Sequence, residues 1–110
     1  MSSETIGSDL LIVSTTERDF KNANNLAKNL MDMKLAACVS FAKVDSIYYW
    51  EGKLEENSEV QLIIKTRLDF LDKLYKAIKE FHSYKVPEFI FFRASASNEY
   101  NQWIKEVSIG

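Results

Sequence analysis

Residues 36–66 constrain this chain most: two long runs of strand-forming residues joined by one tight turn. Val39, Phe41, Ile47, Tyr48, Tyr49 and Trp50 are β-branched or aromatic, the types that fit a pleated, half-buried surface. Glu51-Gly52-Lys53 follows, where Gly52 can supply the positive φ of a short hairpin turn. Residues 59–66 then alternate, with Val60, Leu62 and Ile64 toward one face and Glu59, Gln61 and Lys65 toward the other. That alternation marks a half-buried strand. A first strand of about 16 residues spans roughly 50 Å at about 3.3 Å per residue, whereas a globule of this size has a diameter near about 34 Å. The hairpin therefore bends, with Lys43, Asp45 and Ser46 as the place for a bulge, or it projects. A projecting aromatic hairpin left bare invites aggregation. Either Tyr48, Tyr49 and Trp50 cap the chain's own core, or they pair with further copies in a closed ring, since open association gives fibres.

The flanking segments supply the remaining elements. Leu10-Leu11-Ile12-Val13 reads as a central strand buried on both faces. Thr16, followed by Glu17 and Asp19, reads as a helix start with Thr16 as cap. Phe20, Ala23, Ala27, Leu30 and Met31 form one helical face ending near Lys34. Phe70, Leu71, Leu74, Ala77, Ile78 and Phe81 form a second such face. Pro87 breaks the chain before a fourth strand, Glu88-Phe89-Ile90-Phe91-Phe92. Ser97 caps a last helix with Tyr100, Trp103, Ile104 and Val107 on one side. The order β-α-β-β-α-β-α is α+β and ferredoxin-like. Right-handed crossovers put both main helices on one face of an antiparallel sheet and leave the other face to solvent or a partner. Residues 1–8 read as a polar, disordered leader and 9–110 as a single domain.

Several functions are excluded or disfavoured. The net charge is −2 with no long basic run, which argues against nucleic acid as a partner. Three glycines, Gly7, Gly52 and Gly110, cannot build a phosphate-cradling loop. No apolar stretch approaches the ~20 residues that cross a bilayer, so no membrane role is expected. A single cysteine, Cys38, forms no internal disulfide and fits a reducing, cytoplasmic setting. With no base in view, Cys38 reads as structural rather than catalytic. Glu55, Glu56 and Glu59 read as solvated strand charges. Lys65 reads as an ion-pairing residue, with Glu88 as its candidate partner. His82, the only histidine, either binds a divalent cation with help from a neighbouring chain or simply favours a helix C-terminus.

Four motifs stand in register: Lys34-Leu35-Ala36-Ala37-Cys38-Val39, Ser46-Ile47-Tyr48-Tyr49-Trp50-Glu51-Gly52-Lys53, Glu59-Val60-Gln61-Leu62-Ile63-Ile64-Lys65-Thr66 and His82-Ser83-Tyr84-Lys85-Val86-Pro87-Glu88. Over about residues 9–107 they resemble the CutA family of divalent-cation tolerance proteins, and Tyr100 and Trp103 are similar to that family's closing helix. The resemblance implies a ferredoxin-like homotrimer, similar in architecture to the PII signalling proteins. No catalytic set is visible in the sequence, so no enzymatic activity is expected. It implies a trimer interface through Tyr48, Tyr49, Trp50 and Lys65, and structural roles for Cys38, Pro87 and Trp103. It also implies a link to copper and other divalent cations. Three positions depart from the pattern. Ser14 stands where some bacterial members have a metal-ligating cysteine, Phe81 where some have a second histidine, and Ser83 where the family often has proline. The expected protein is a cytoplasmic homotrimer that binds copper(II) or another divalent cation weakly through His82 and Glu88, aided by a neighbour's carboxylate. The alternative is a PII-like signalling module that holds a small metabolite between subunits.

Overall fold

A computed structural model describes residues 6–108. The elements run β1 (Ile6–Glu17), α1 (Phe20–Asp32), β2 (Cys38–Trp50), β3 (Lys53–Arg67), a single 3-10 turn (Leu68–Phe70), α2 (Leu71–Phe81), β4 (Ile90–Ser97) and α3 (Asn98–Val107). The four strands form one sheet in the order β2-β3-β1-β4, antiparallel throughout. This is the expected β-α-β-β-α-β arrangement with one added helix.

Central placement explains the apolar run in β1. Leu11 and Val13 face α1 and α2, while Leu10 faces the other side, and all three are buried. The main core joins them to Val60, Leu62 and Ile64 of β3, Ala23, Leu26, Ala27 and Leu30 of α1, and Leu74, Ala77 and Ile78 of α2. A smaller cluster of Leu10, Ala37 and Ile104 lies under α3, with Ile12, Ala94, Ala96 and Tyr100 against it. The second sheet face is therefore partly covered by α3, rather than wholly open.

Several boundaries differ from those expected. β1 begins at Ile6, so the proposed leader of residues 1–8 overlaps the strand, and residues 1–5 lie outside the described part. Thr16 and Glu17 do not open α1. They pair with Gln61 and Val60 in the β1–β3 ladder, and Asp19 caps the helix by accepting the Asn22 N–H at 2.8 Å. Phe20 and Met31 are exposed, because the buried face of α1 runs through Leu26 instead. α1 ends in a Schellman turn: Lys34 at φ 58 donates its N–H to Met31 O, and Leu35 donates to Leu30 O. β4 starts two residues later than read and continues to Ser97, because its register is set by pairing with β1.

The hairpin does not bend. Pairing runs unbroken from Cys38↔Lys65 to Trp50↔Lys53. Lys43, Asp45 and Ser46, proposed to interrupt it, pair in register with Val60, Ser58 and Asn57. Ser58 Oγ also donates to Asp45 at 2.8 Å, and further along the ladder Asn57 Nδ2 donates to the Tyr48 hydroxyl at 2.8 Å. The register shift lies in β1, between Gly7 and Leu10, against β4. Glu51 and Gly52 both have positive φ, 51° and 80°, the geometry of a two-residue turn that matches strand twist. The straight hairpin stretches the molecule to 53 × 27 × 21 Å.

Candidate functional site

The polar residues that the sequence scatters over β1, β3 and the segment after α2 come together at one end of the sheet. α2 stops at His82, whose N–H still reaches Ile78 O at 2.9 Å while its backbone turns extended. The imidazole is buried against the end of β1. Its Nε2 lies 2.6 Å from Thr16 O and 3.2 Å from Thr15 Oγ1. Its Nδ1 accepts the Tyr84 N–H at 2.9 Å and lies 3.5 Å from Glu17 Oε2. A carbonyl oxygen needs a donor, and the Tyr84 N–H needs an acceptor. The hydrogen bonds thus assign the neutral tautomer with its proton on Nε2.

Glu17 is the buried anion of this cluster. It accepts the Ser83 N–H at 2.9 Å, the Arg18 N–H at 3.2 Å, and the Ser83 hydroxyl. Tyr84 turns to the opposite sheet face and donates its hydroxyl to Glu59 at 2.6 Å. Burial, and then this carboxylate partner, push the Tyr84 phenol well above its usual range. Glu59 is consequently buried, at 7% exposure, and is not the solvated charge that alternation implies. Arg18 lies over the Tyr84 ring and donates Nε–H to Ser83 Oγ at 3.2 Å.

Glu88 sits apart from His82 in this arrangement. Its Oε2 accepts the Ser14 hydroxyl at 3.0 Å, and Ser14 in turn accepts from Gln61 Nε2 at 3.1 Å. Ser14 therefore orients a carboxylate at the position where the resemblance gives a cysteine. Lys65 lies between Ile12 and Cys38 in the sheet. Among the described residues the ion pairs between charged side chains are Arg67–Asp69 and Lys105–Asp9, while the neutral His82 ring only lies beside Glu17, so the suggested Lys65–Glu88 pair is not formed. Cys38 is half-buried at the start of β2, Pro87 is half-buried in the loop, and Trp103 stacks 5.6 Å from Tyr100 on α3. Tyr48 is half-buried, whereas Tyr49 and Trp50 are 76% and 45% exposed.

A cleft of about 690 Å³ separates the 83–88 loop from the hairpin side chains Ser46, Tyr48 and Trp50, with Arg18, Glu59 and Glu88 also lining it. Its chemistry is mixed: three aromatics, Tyr48, Trp50 and Tyr84, two carboxylates, and the cations of Arg18 and Lys85. Thr15, His82 and Glu17 form a hydroxyl–imidazole–carboxylate row, but all three are buried. Nε2 already holds the proton that a general base would have to accept, so the row is structural. A resident cation does not fit one chain alone. No three His, Cys, Asp or Glu side chains converge among the described residues, and no buried side-chain nitrogen or oxygen there lacks a partner.

Sequence reasoning missed Glu17 and Glu59. Glu17 looks like a helix-start acid and Glu59 like a strand-surface acid, and their partners lie 66 and 25 residues away. No local pattern marks either.

Known proteins share this architecture and sequence. The profile of the family described as CutA1 divalent ion tolerance protein matches residues 11–107. A divalent-cation tolerance protein CutA from Pyrococcus horikoshii is 40% identical over 98 residues, which covers 88% of this chain and 96% of that one. The crystal structure of CutA1 from P. horikoshii superposes with a TM-score of 0.86 at 37% identity, covering 88% and 96% of the two chains. CutA1 from Oryza sativa gives 0.85 at 37% identity over 90% and 93%. A CutA from Archaeoglobus fulgidus, described as periplasmic, gives 0.87 at 31% identity over 90% and 98%. The absence of an enzymatic role expected from the sequence agrees with a family described by ion tolerance rather than by a reaction. A match across nearly the whole chain, at this identity and with the same fold, means that the chain belongs to the CutA1 divalent ion tolerance protein family.

Proposed function

We propose that this protein acts as a homotrimer in divalent-cation tolerance, binding cations, copper(II) foremost, weakly and between subunits. The observation that carries the reading is the unpaired apolar surface of the single chain. Ile90, Phe91 and Phe92 on edge strand β4, and Ile47, Tyr49 and Trp50 on the hairpin, are all exposed. An edge strand and a projecting aromatic hairpin are aggregation sites unless covered, and a closed ring covers both. Within the assembly Glu88 supplies a carboxylate with spare acceptor capacity beside its Ser14 bond. The donors that one chain lacks would come from a neighbour's carboxylates. Imidazole and carboxylate sites favour copper among the first-row divalent ions, and His82 can join such a site only if its present partners are displaced. A single half-buried Cys38 fits a reducing compartment, and fractionation of the native host decides between that and the periplasmic location of the A. fulgidus relative.

The test is light scattering with and without Cu(II), alongside Cu(II) titration of the wild type and Glu88→Gln. The expected result is a three-chain mass and about tenfold weaker binding by the variant, within the range seen when a ligand shell is disturbed. Equal affinity for both proteins removes Glu88 from the reading, and a monomer at micromolar concentration removes the assembly.

The cleft supports a second reading, a PII-like module binding a small metabolite between subunits. Tyr48 and Trp50 offer stacking surfaces, and Arg18 and Lys85 offer charge to an anionic group. A thermal-shift screen of small anionic metabolites that finds no stabilising compound counts against it.

A further inference from the structure

We propose that His82 is a positioning residue: a neutral imidazole latch that fixes the loop after α2 and so shapes the cleft. A cation can take its nitrogen only by releasing that loop. This goes beyond the cation reading above and does not depend on it.

The argument begins at the end of α2, where the chain must leave the helix and cross to the other sheet face. The first two amides beyond the helix cap are both held by side chains. Ser83 N–H goes to Glu17, and Tyr84 N–H goes to His82 Nδ1. The second bond joins a side-chain acceptor to the N–H two residues on, the same geometry by which asparagine and aspartate build turns. The other ring nitrogen anchors this turn to β1 through Thr16 O at 2.6 Å. One planar ring therefore sets the distance and angle between strand and loop.

The consequence is carried outward by Tyr84. Its ring packs 5.1 Å from the imidazole, Arg18 lies over it, and its hydroxyl ends on Glu59. Tyr84 lines the cleft together with Glu59 and Arg18. Positioning Tyr84 thus positions one wall of the cleft.

The same geometry closes the ring to cations. A metal-ligating histidine offers one nitrogen lone pair and uses the other N–H to orient itself. Here the free lone pair, on Nδ1, is occupied by the Tyr84 N–H. Nε2 carries its proton toward a carbonyl at the end of β1. Binding at Nδ1 evicts Tyr84 N–H, and binding at Nε2 requires the loss of that proton and leaves Thr16 O without its donor.

Nitrogen-detected NMR of the full-length protein tests this, with Zn(II) alone as the probe. The expected spectrum shows Nε2 protonated and Nδ1 as an acceptor, unchanged by Zn(II). Tyr84 amide exchange should be at least about tenfold faster in His82→Ala and within about threefold of wild type in His82→Asn, whose Oδ1 restores the turn acceptor. Zn(II) affinity of His82→Asn should stay within about threefold of wild type, against the roughly 10- to 100-fold loss on disturbing a real site. Two results would overturn the proposal. One is a Zn(II)-induced shift of either ring nitrogen with the Tyr84 amide still protected. The other is about a tenfold or greater loss of Zn(II) affinity in His82→Asn with that protection retained. A protein with the expected tautomer that binds neither Zn(II) nor, in the titration above, Cu(II) supports the latch and defeats the cation reading, so the two fail separately.

Discussion

Asp19 accepts both the Asn22 N–H and the Asn22 side-chain amide at 2.8 Å, and these bonds hold its carboxyl below the usual range, the backbone bond first. The folded pKa is thus below the unfolded value of about 3.9. The stabilisation is fully present above that value and is lost as pH falls through the folded pKa. Wild type should therefore be more stable than Asp19→Ala at pH 7, with the gap closing below about pH 4; urea unfolding at fixed protein concentration across that range reads it. Thr66 makes a different kind of bond. Its buried hydroxyl donates to Leu35 O at 2.8 Å, tying β3 to the segment that enters β2. Thr66→Val keeps the shape and removes the donor, so urea unfolding should show a loss of about 1–3 kcal/mol. Asp19 is visible in the sequence as an acid before an apolar helical face. The partner of Thr66 is not, because a hydroxyl finds its acceptor only once the two strands meet.

The hairpin shows what local chemistry can specify. Gly52 and the strand alternation of residues 59–66 place the turn and the buried face, and Val60, Leu62 and Ile64 are buried as read. At φ 80° a Cβ on Gly52 would meet nothing within 4 Å, so the cost of a side chain there is purely backbone. Gly52→Ala should destabilise by about 1–2 kcal/mol, seen as a lower denaturation midpoint with an unchanged slope. The ends of β1 and α1 are less legible. Thr16 and Glu17 satisfy the rules for a helix start, yet ladder bonds to β3 extend the strand through them. Propensity is a weak prior, and a tertiary pairing partner overrides it.

At the scale of the molecule, the radius of gyration is 15.2 Å, above the about 13 Å of a compact chain this long. The unbent hairpin accounts for the excess. Phe92 lies opposite Ile12 on the sheet face that α3 only partly covers, and it is 54% exposed. If that face joins subunits, Phe92→Glu places a charge in an apolar contact, and light scattering should find the wild type at three chains and the variant at one. An unchanged mass for the variant means that the interface lies elsewhere.

The element order, the two helices packed on the sheet, the hairpin turn and the family were all legible in the chain of residues, because periodicity, turn chemistry and motif spacing are local properties, although Phe20, Met31 and Phe81 fall outside the buried helix faces. Three outcomes needed the folded molecule: the hairpin stays straight, Glu17 and Glu59 are buried, and His82 and Glu88 serve different partners. Apart from the local Arg18 and Tyr84 N–H bonds, the side-chain outcomes rest on contacts between residues 25 to 74 positions apart. Such a contact fixes which proton sits on an imidazole or whether a carboxylate meets water, and neither property belongs to a residue in isolation.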